Sequence, residues 1–266
     1  MNPAAIQFDL DNARACARAC ADAYRGGDGP SPRIISVPGT DTHCLVGEDA
    51  NSITIAFRGS VSIRNWITDA EFERVTLIAG DGTCSKVHKG FNAAWNSILV
   101  PLFAALRPSR KPIFVTGHSL GGALAILAAL ALERNGFLVA QVYTFGQPRV
   151  GNGDFMRRYN AALGDITYRV VYQEDIVARI PHLPSFRDPY RHVGTEVFIS
   201  SVSPTNSVDD LWFNPPVWRL LISDAWGVYR AWCISRFDAA LDPAQDHHIG
   251  NYTGTLAAIH PSSFHP

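Results

Sequence analysis

The chain has 266 residues, long for an average domain but within the range in which α/β folds remain one unit, so a single domain over 1–266 is expected. With 47% apolar and 18% charged residues it has an ordinary globular composition. Its formal net charge of -1 gives no bulk attraction to nucleic acid or an anionic membrane, which disfavours a nucleic-acid partner from the outset.

The first residues, MNPAAIQFD, lack a basic run followed by an apolar core and a small-residue cleavage site. No secretory leader is visible: either the protein stays inside the cell or a leader was removed. Residues 8–25 read as a helix, with Ala13, Cys16, Ala17, Cys20 and Tyr24 at helical spacing and a stop at Gly26 and Gly27. The five cysteines, Cys16, Cys20, Cys44, Cys84 and Cys233, are odd in number and lack metal-ligand spacing, so at least one stands outside any intrachain pair. Cys16 and Cys20, on one face of that helix, read as buried thiols.

Short β-prone runs at 42–47 and 52–57 predict a hairpin turned at 48–51. Residues 91–106 look helical, with Pro101 expected to kink or split the helix. A buried strand at 113–116 then runs through a Gly-rich turn into the Ala/Leu-rich helix 120–134, which Gly136 ends. Strand 139–145, helix 152–163, and strands 166–173 and 192–199 complete a βαβ alternation, so the expected fold is α/β with a largely parallel sheet covered by helices on both faces.

The turn after 113–116 reads GHSLGG at 117–122, a fit to G-x-S-x-G in the strand-to-helix context that the motif requires. Ser119 then occupies a strained turn where side chains at 117 and 121 would crowd the neighbouring strand and helix. A serine at a helix N-terminus also meets backbone N–H groups aimed at a developing oxyanion. The competing reading, a dinucleotide-binding glycine loop, is weakened by Ala123 at the place of the third glycine and by the loop's mid-chain position.

Taken with three further segments, FRGSVSIRNWITD (57–69), KVHKGF (86–91) and YTFGQPRVG (143–151), this turn resembles the class 3 lipases, the family of the filamentous-fungal triacylglycerol lipases. The resemblance is nearly continuous from 52 to about 185 and loose before 40 and after 200. It implies an α/β-hydrolase fold, a Ser-His-Asp triad and hydrolysis of lipid esters through an acyl-enzyme.

A serine hydroxyl needs an imidazole to take its proton, and the imidazole needs a carboxylate to fix its tautomer, with chain order Ser, acid, His in this fold. The family's acid stretch is similar to the residues after strand 168–173, which assigns Asp175; the neighbouring Glu174 would point to the opposite face of an extended strand. Ala178 and Arg179 stand inserted before the proline-rich part of that stretch. His43 and His88 precede the nucleophile, His118 sits within the turn, and His182 and His192 follow too soon. That leaves His247 and His248, with His260 and His265 at the end of the chain. Counting back from Tyr252 as the family's bacterial members imply gives His247, with His248 as runner-up.

By motif position the resemblance also implies oxyanion donors at Ser60 and Leu120. It implies a lid at 62–69 with Ile63, Trp66 and Ile67 on the apolar face of a short helix. Residues 206–236 form a Trp-rich insertion: on a helix, Trp218, Ile222, Ala225, Tyr229 and Trp232 make one stripe, read as part of an acyl-binding wall or a patch for a lipid-water interface, or else as an ordinary helix packed on the sheet. No metal or organic cofactor and no transmembrane segment is implied. The expected activity is a lipase or carboxylesterase acting on acylglycerols or similar esters. Alternatives are a phospholipase A1 or aryl-ester esterase and, in another class, a non-catalytic small-molecule binder.

Overall fold

The structure, a computed structural model, describes residues 1–2, 7–26, 33–59, 73–78, 82–106, 109–173, 175–181, 188–200, 211–213 and 246–259. Its centre is an eight-stranded sheet. In spatial order the strands are β1 (Arg33–Val37), β2 (Thr42–Glu48), β3 (Ile53–Phe57), β6 (Ile113–His118), β7 (Val139–Phe145), β9 (Thr167–Tyr172), β11 (Thr195–Ile199) and β12 (Leu211–Phe213). The expected 42–57 hairpin is present as the antiparallel pair β2–β3, and the run from β3 through β11 is parallel. β6 is buried at every position, the signature of a strand covered on both faces.

One face is covered by α2 (Lys89–Leu106), α3 (Leu120–Arg134) and α4 (Gly153–Leu163). α3 is apolar almost all round, because it packs between the sheet and its neighbouring helices. α2 departs from expectation: it runs through Pro101 as one helix and begins two residues before the predicted start. Pro101 is exposed, so its missing N–H weakens only the solvent side of the helix. A second, four-stranded antiparallel sheet was not anticipated. It orders β10 (Tyr190–Arg191), β8 (Gly151–Asn152), β5 (Cys84–His88) and β4 (Arg74–Ile78).

The opposite face carries α1 (Leu10–Arg25) and α5 (Ile249–Ala258), which come from the two ends of the chain and share one apolar cluster with β6, β7, β9 and β11. α1 begins at Asp9, whose side chain accepts from the Asn12 N–H at 2.8 Å, and ends at Gly26 with φ 81°. Cys16 and Cys20 are fully buried beneath it as free thiols; Cys44 is also buried and free, while Cys84 is exposed. The Arg14 guanidinium donates to the Leu256 carbonyl at 2.9 Å and to that of Ile259, placing a cation at the negative end of α5.

The N-terminal end of α1 is tied to the sheet through a buried polar link. Asn12 Nδ2 donates to Gln141 Oε1 on β7 at 2.8 Å, and Gln141 Nε2 donates to the Gln7 carbonyl at 2.8 Å. Gln141→Leu leaves the Asn12 amide buried without this acceptor and is expected to lower unfolding free energy by about 1–3 kcal/mol. Urea denaturation of the variant checks this; an unchanged midpoint would mean that the link contributes nothing.

Candidate active site

Between the last residue of β6 and the first of α3, Ser119 stands alone with φ 60° and ψ -131°, a conformation that a residue with a Cβ adopts only when its surroundings impose it. Two backbone bonds hold it: its N–H donates to the Phe145 carbonyl at 2.9 Å, and its carbonyl accepts from the Gly122 N–H at 2.9 Å. Close approach of the flanking backbone does the rest. A Cβ on Gly117 would overlap the backbone of Gly121, and a Cβ on Gly121 would overlap the Phe57 carbonyl at the end of β3. Leu120 opens α3, in the turn whose N–H groups have no intrahelical acceptor. Ser60, the other anticipated oxyanion residue, and the lid positions Ile63, Trp66 and Ile67 lie outside the described residues. Gly59, just before Ser60, passes directly by Ser119: a Cβ there would stand 2.8 Å from Ser119 Cβ.

Asp175 follows β9 through a tight turn in which its N–H donates to the Tyr172 carbonyl at 3.0 Å. It is fully buried, and its carboxylate is met from three directions. Oδ1 accepts from the Val177 N–H at 2.8 Å; His247 Nδ1 lies 2.9 Å from Oδ1 and 2.7 Å from Oδ2; the Tyr252 hydroxyl donates to Oδ2. Burial opposes ionisation of this carboxyl, but the neighbouring His247 and the hydrogen bonds from His247 and Tyr252 outweigh it and hold the group below the usual carboxylate range. A carboxylate only accepts, so Nδ1 of His247 carries the hydrogen of this bond, and in a neutral ring the lone pair is on Nε2. Nε2 of His247 and Oγ of Ser119 belong to a larger set of buried side-chain polar atoms that have no hydrogen-bond partner among the described residues. Gly146, after β7, makes room for the pair: at φ 56°, a Cβ there would lie 2.5 Å from Asp175 Oδ2 and 2.8 Å from His247 Nδ1.

Asp175 and His247 are thus hydrogen-bonded to each other beyond the carboxyl end of β9, and Ser119 follows the carboxyl end of β6, next to His118, whose Nε2 lies 2.7 Å from the His247 carbonyl. His248 is not brought in: it is exposed and caps α5, its Nδ1 accepting from the Gly250 N–H at 3.0 Å. His43 pairs with Ser36 and Asp41, and His88 accepts from the first turn of α2. His192 bonds the Ala178 carbonyl at 2.7 Å, on the short turn Val177–Arg179 that contains the inserted Ala178 and Arg179. Glu174, His182, His260, His265, Cys233 and the Trp-rich insertion apart from the backbone of β12 lie outside the described residues. Sequence reasoning used Tyr252 only as a landmark and missed its hydroxyl, although a tyrosine at that spacing from His247 was the available signal. It also missed His118, which stacks on His247 with ring centroids 4.5 Å apart. Among the described residues, no group of three or more His, Cys, Asp or Glu side chains is placed to share a metal ion.

Residues 54–185 match the family Lipase (class 3). Over 175 residues the chain is 38% identical to secreted mono- and diacylglycerol lipase 1 of Fusarium solani, covering 62% of this chain and 50% of that one. The chain thus spans about half the length of the curated relatives it matches. Among solved structures, the Rhizomucor miehei triacylglyceride lipase superposes with a TM-score of 0.57 at 32% identity, over 71% of this chain and 78% of that one. A triacylglycerol lipase described as having a serine-protease triad at its catalytic centre superposes with a TM-score of 0.61 at 31% identity, over 73% and 82%. The fold is that of the α/β-hydrolases, and the chain belongs to the class 3 lipase family.

Proposed function

We propose that this chain hydrolyses carboxylic esters of lipids, acylglycerols or close analogues, through an acyl-enzyme. The observation that carries the reading is the pairing of a buried Asp175–His247 couple with two buried polar atoms left without partners, His247 Nε2 and Ser119 Oγ. An unsatisfied buried polar group is unfavourable, so a site that keeps two of them where a proton must pass is arranged for a reacting substrate.

In this reading Ser119 Oγ attacks the ester carbonyl while His247 Nε2 takes its proton, and Asp175 stabilises the imidazolium that forms. Backbone N–H groups at Leu120 and Ser60 receive the negative charge of the tetrahedral intermediate. Collapse expels the alcohol, protonated by His247, and leaves Ser119 acylated; water activated by the same imidazole then releases the acid. One domain over 1–266 carries these groups, with a lid at 62–69 and the Trp-rich insertion as candidate walls for the acyl chain. Among the described residues, no helix is long and apolar enough to cross a membrane. A secreted form is the localisation that the secreted fungal relative favours.

The same protonation states set the acid stability of the fold. His118 is pushed down to about 3, by burial first and then by the neighbouring His247, while burial and nearby arginines hold His192 well below the ordinary 6.5. Both stay neutral when folded but take up protons in the unfolded chain, so their contribution is complete above about pH 6.5 and lost as pH falls below it. Asp175, held below 3.8, adds a further loss only below about pH 4. The urea midpoint is therefore expected to fall between pH 7.5 and pH 5, and more steeply under pH 4; a midpoint constant from 7.5 to 5 would contradict these assignments.

Activity is tested with p-nitrophenyl esters from acetate to palmitate on the wild type and on Ser119→Ala, which should lose about 10^4-fold or more. Hydrolysis surviving in that variant would reject the mechanism. His247→Ala should lose activity on the same scale while His248→Ala stays near wild type, and Asp175→Asn should lower kcat by about 10^4-fold through the wrong imidazole tautomer. Equal losses at His247 and His248 would remove the assignment of the base.

A further inference from the structure

We propose that Tyr24 and His118 are positioning residues for the base, holding the plane and backbone of His247 through a hydrogen-bonded chain that starts on α1. The proposal rests on the catalytic reading above.

His118 Nε2 lies 2.7 Å from the backbone carbonyl of His247, and its Nδ1 lies 2.8 Å from the Tyr24 hydroxyl. A carbonyl can only accept, so Nε2 carries the hydrogen. His118 is neutral at any pH where a serine hydrolase works, so Nδ1 is then a bare acceptor and the Tyr24 hydroxyl must donate to it. Every proton in the chain thus has a direction: Tyr24 donates to His118, and His118 donates to the backbone of His247. The two imidazoles are also stacked, inclined by 28°.

This arrangement supplies what Asp175 cannot. The carboxylate fixes the Nδ1 edge of the His247 ring, but a ring held at one edge can still swing, and Nε2 must point at Ser119 Oγ for a proton to cross. The stack fixes the ring plane, and the bond to the carbonyl fixes the backbone that carries it. Because His118 precedes Ser119 in the chain, base and nucleophile are referred to the same residue. The Tyr24 hydroxyl also touches the segment leading to Ser60: a Cβ on Gly59 would overlap it, and would stand 2.8 Å from the His118 carbonyl. One side chain on α1, outside residues 54–185 that match the family, therefore sits where the oxyanion segment, the nucleophile turn and the base loop meet.

Without the Tyr24 hydroxyl, the His247 carbonyl alone is left to select the His118 tautomer. The form with its hydrogen on Nδ1 would present a lone pair to the His247 carbonyl, which repels it. Tyr24 then acts on the base by way of His118, and this dependence is measurable as non-additivity.

The test compares Tyr24→Phe, His118→Phe and the double variant, with Ser119→Ala alongside, measuring kcat and KM on soluble p-nitrophenyl butyrate and thermal melting of each protein. Tyr24→Phe should lower kcat about tenfold, the scale of one lost hydrogen bond, with KM within about twofold and the melting midpoint nearly unchanged. His118→Phe should lose about 30- to 100-fold in kcat, the scale of a misplaced catalytic group. The double variant should match His118→Phe alone. If His118→Phe does not fold, His118→Leu serves as the second background with the same expectation. Losses that multiply in the double variant, or a Tyr24→Phe enzyme with wild-type kcat, overturn the proposal. An inactive Ser119→Ala with a fully active Tyr24→Phe rejects this inference and leaves the catalytic reading standing, whereas an active Ser119→Ala rejects both.

Discussion

The structure depends on a carboxylate with no exposed surface. An ion taken out of water carries a desolvation penalty of several kcal/mol unless its surroundings replace the lost hydration. At Asp175 the replacement is complete in kind: a backbone N–H from Val177, the imidazole N–H of His247 and the hydroxyl of Tyr252, with Gly146 leaving the space that they need. Two of these donors come from the last described segment of the chain, residues 246–259, so α5 must dock on β9 before the carboxylate is satisfied. Tyr252 also accepts from the Tyr172 N–H at 3.2 Å, which fastens α5 to the strand that delivers the acid. Arg14 on α1 secures the other end of the helix. The face of the sheet away from α3 is therefore part of the site as well as part of the core.

A second constraint runs through Ser119. Its positive φ persists because strand and helix approach at Gly117 and Gly121 too closely for any side chain. The parallel arrangement of β3, β6, β7 and β9 places the ends of these strands along one edge, so residues far apart in sequence meet there without long loops. Gly59, Ser119, Gly146 and Asp175 each follow one of those strands, and each contributes a backbone position or a side chain to one small volume.

Much of this was legible in the sequence for identifiable reasons. The buried run before GHSLGG, the two glycines and the Ala/Leu-rich helix are local signals, and local signals set local structure. Chain order, with the exclusion of the histidines that follow the acid too soon, reduced nine histidines to four: His247, His248, His260 and His265. The choice of His247 over His248 rested on the family's spacing to Tyr252; the physical difference, one ring buried against Asp175 and the other exposed at the start of α5, comes from the docking of residues 246–259. The small antiparallel sheet was not legible: β8 and β10 are two residues long, and β4 shows no clear alternation of burial. The Tyr24–His118 link joins residues 94 positions apart through side chains alone, a contact that neither periodicity nor motif spacing encodes. Pro101 misled in the other direction, because a proline on the solvent side of a helix is tolerated when the buried side is well packed.

The central claim is that Ser119 is the nucleophile and that the Asp175–His247 pair activates it. Its most direct measurement is the site and rate of covalent capture by a p-nitrophenyl alkylphosphonate, followed by mass spectrometry of the digested protein. The account predicts a single adduct on the peptide containing Ser119, formed rapidly in the wild type and in His248→Ala and far more slowly in His247→Ala. An adduct on another residue, or capture at Ser119 that proceeds equally fast without the imidazole of His247, would contradict it.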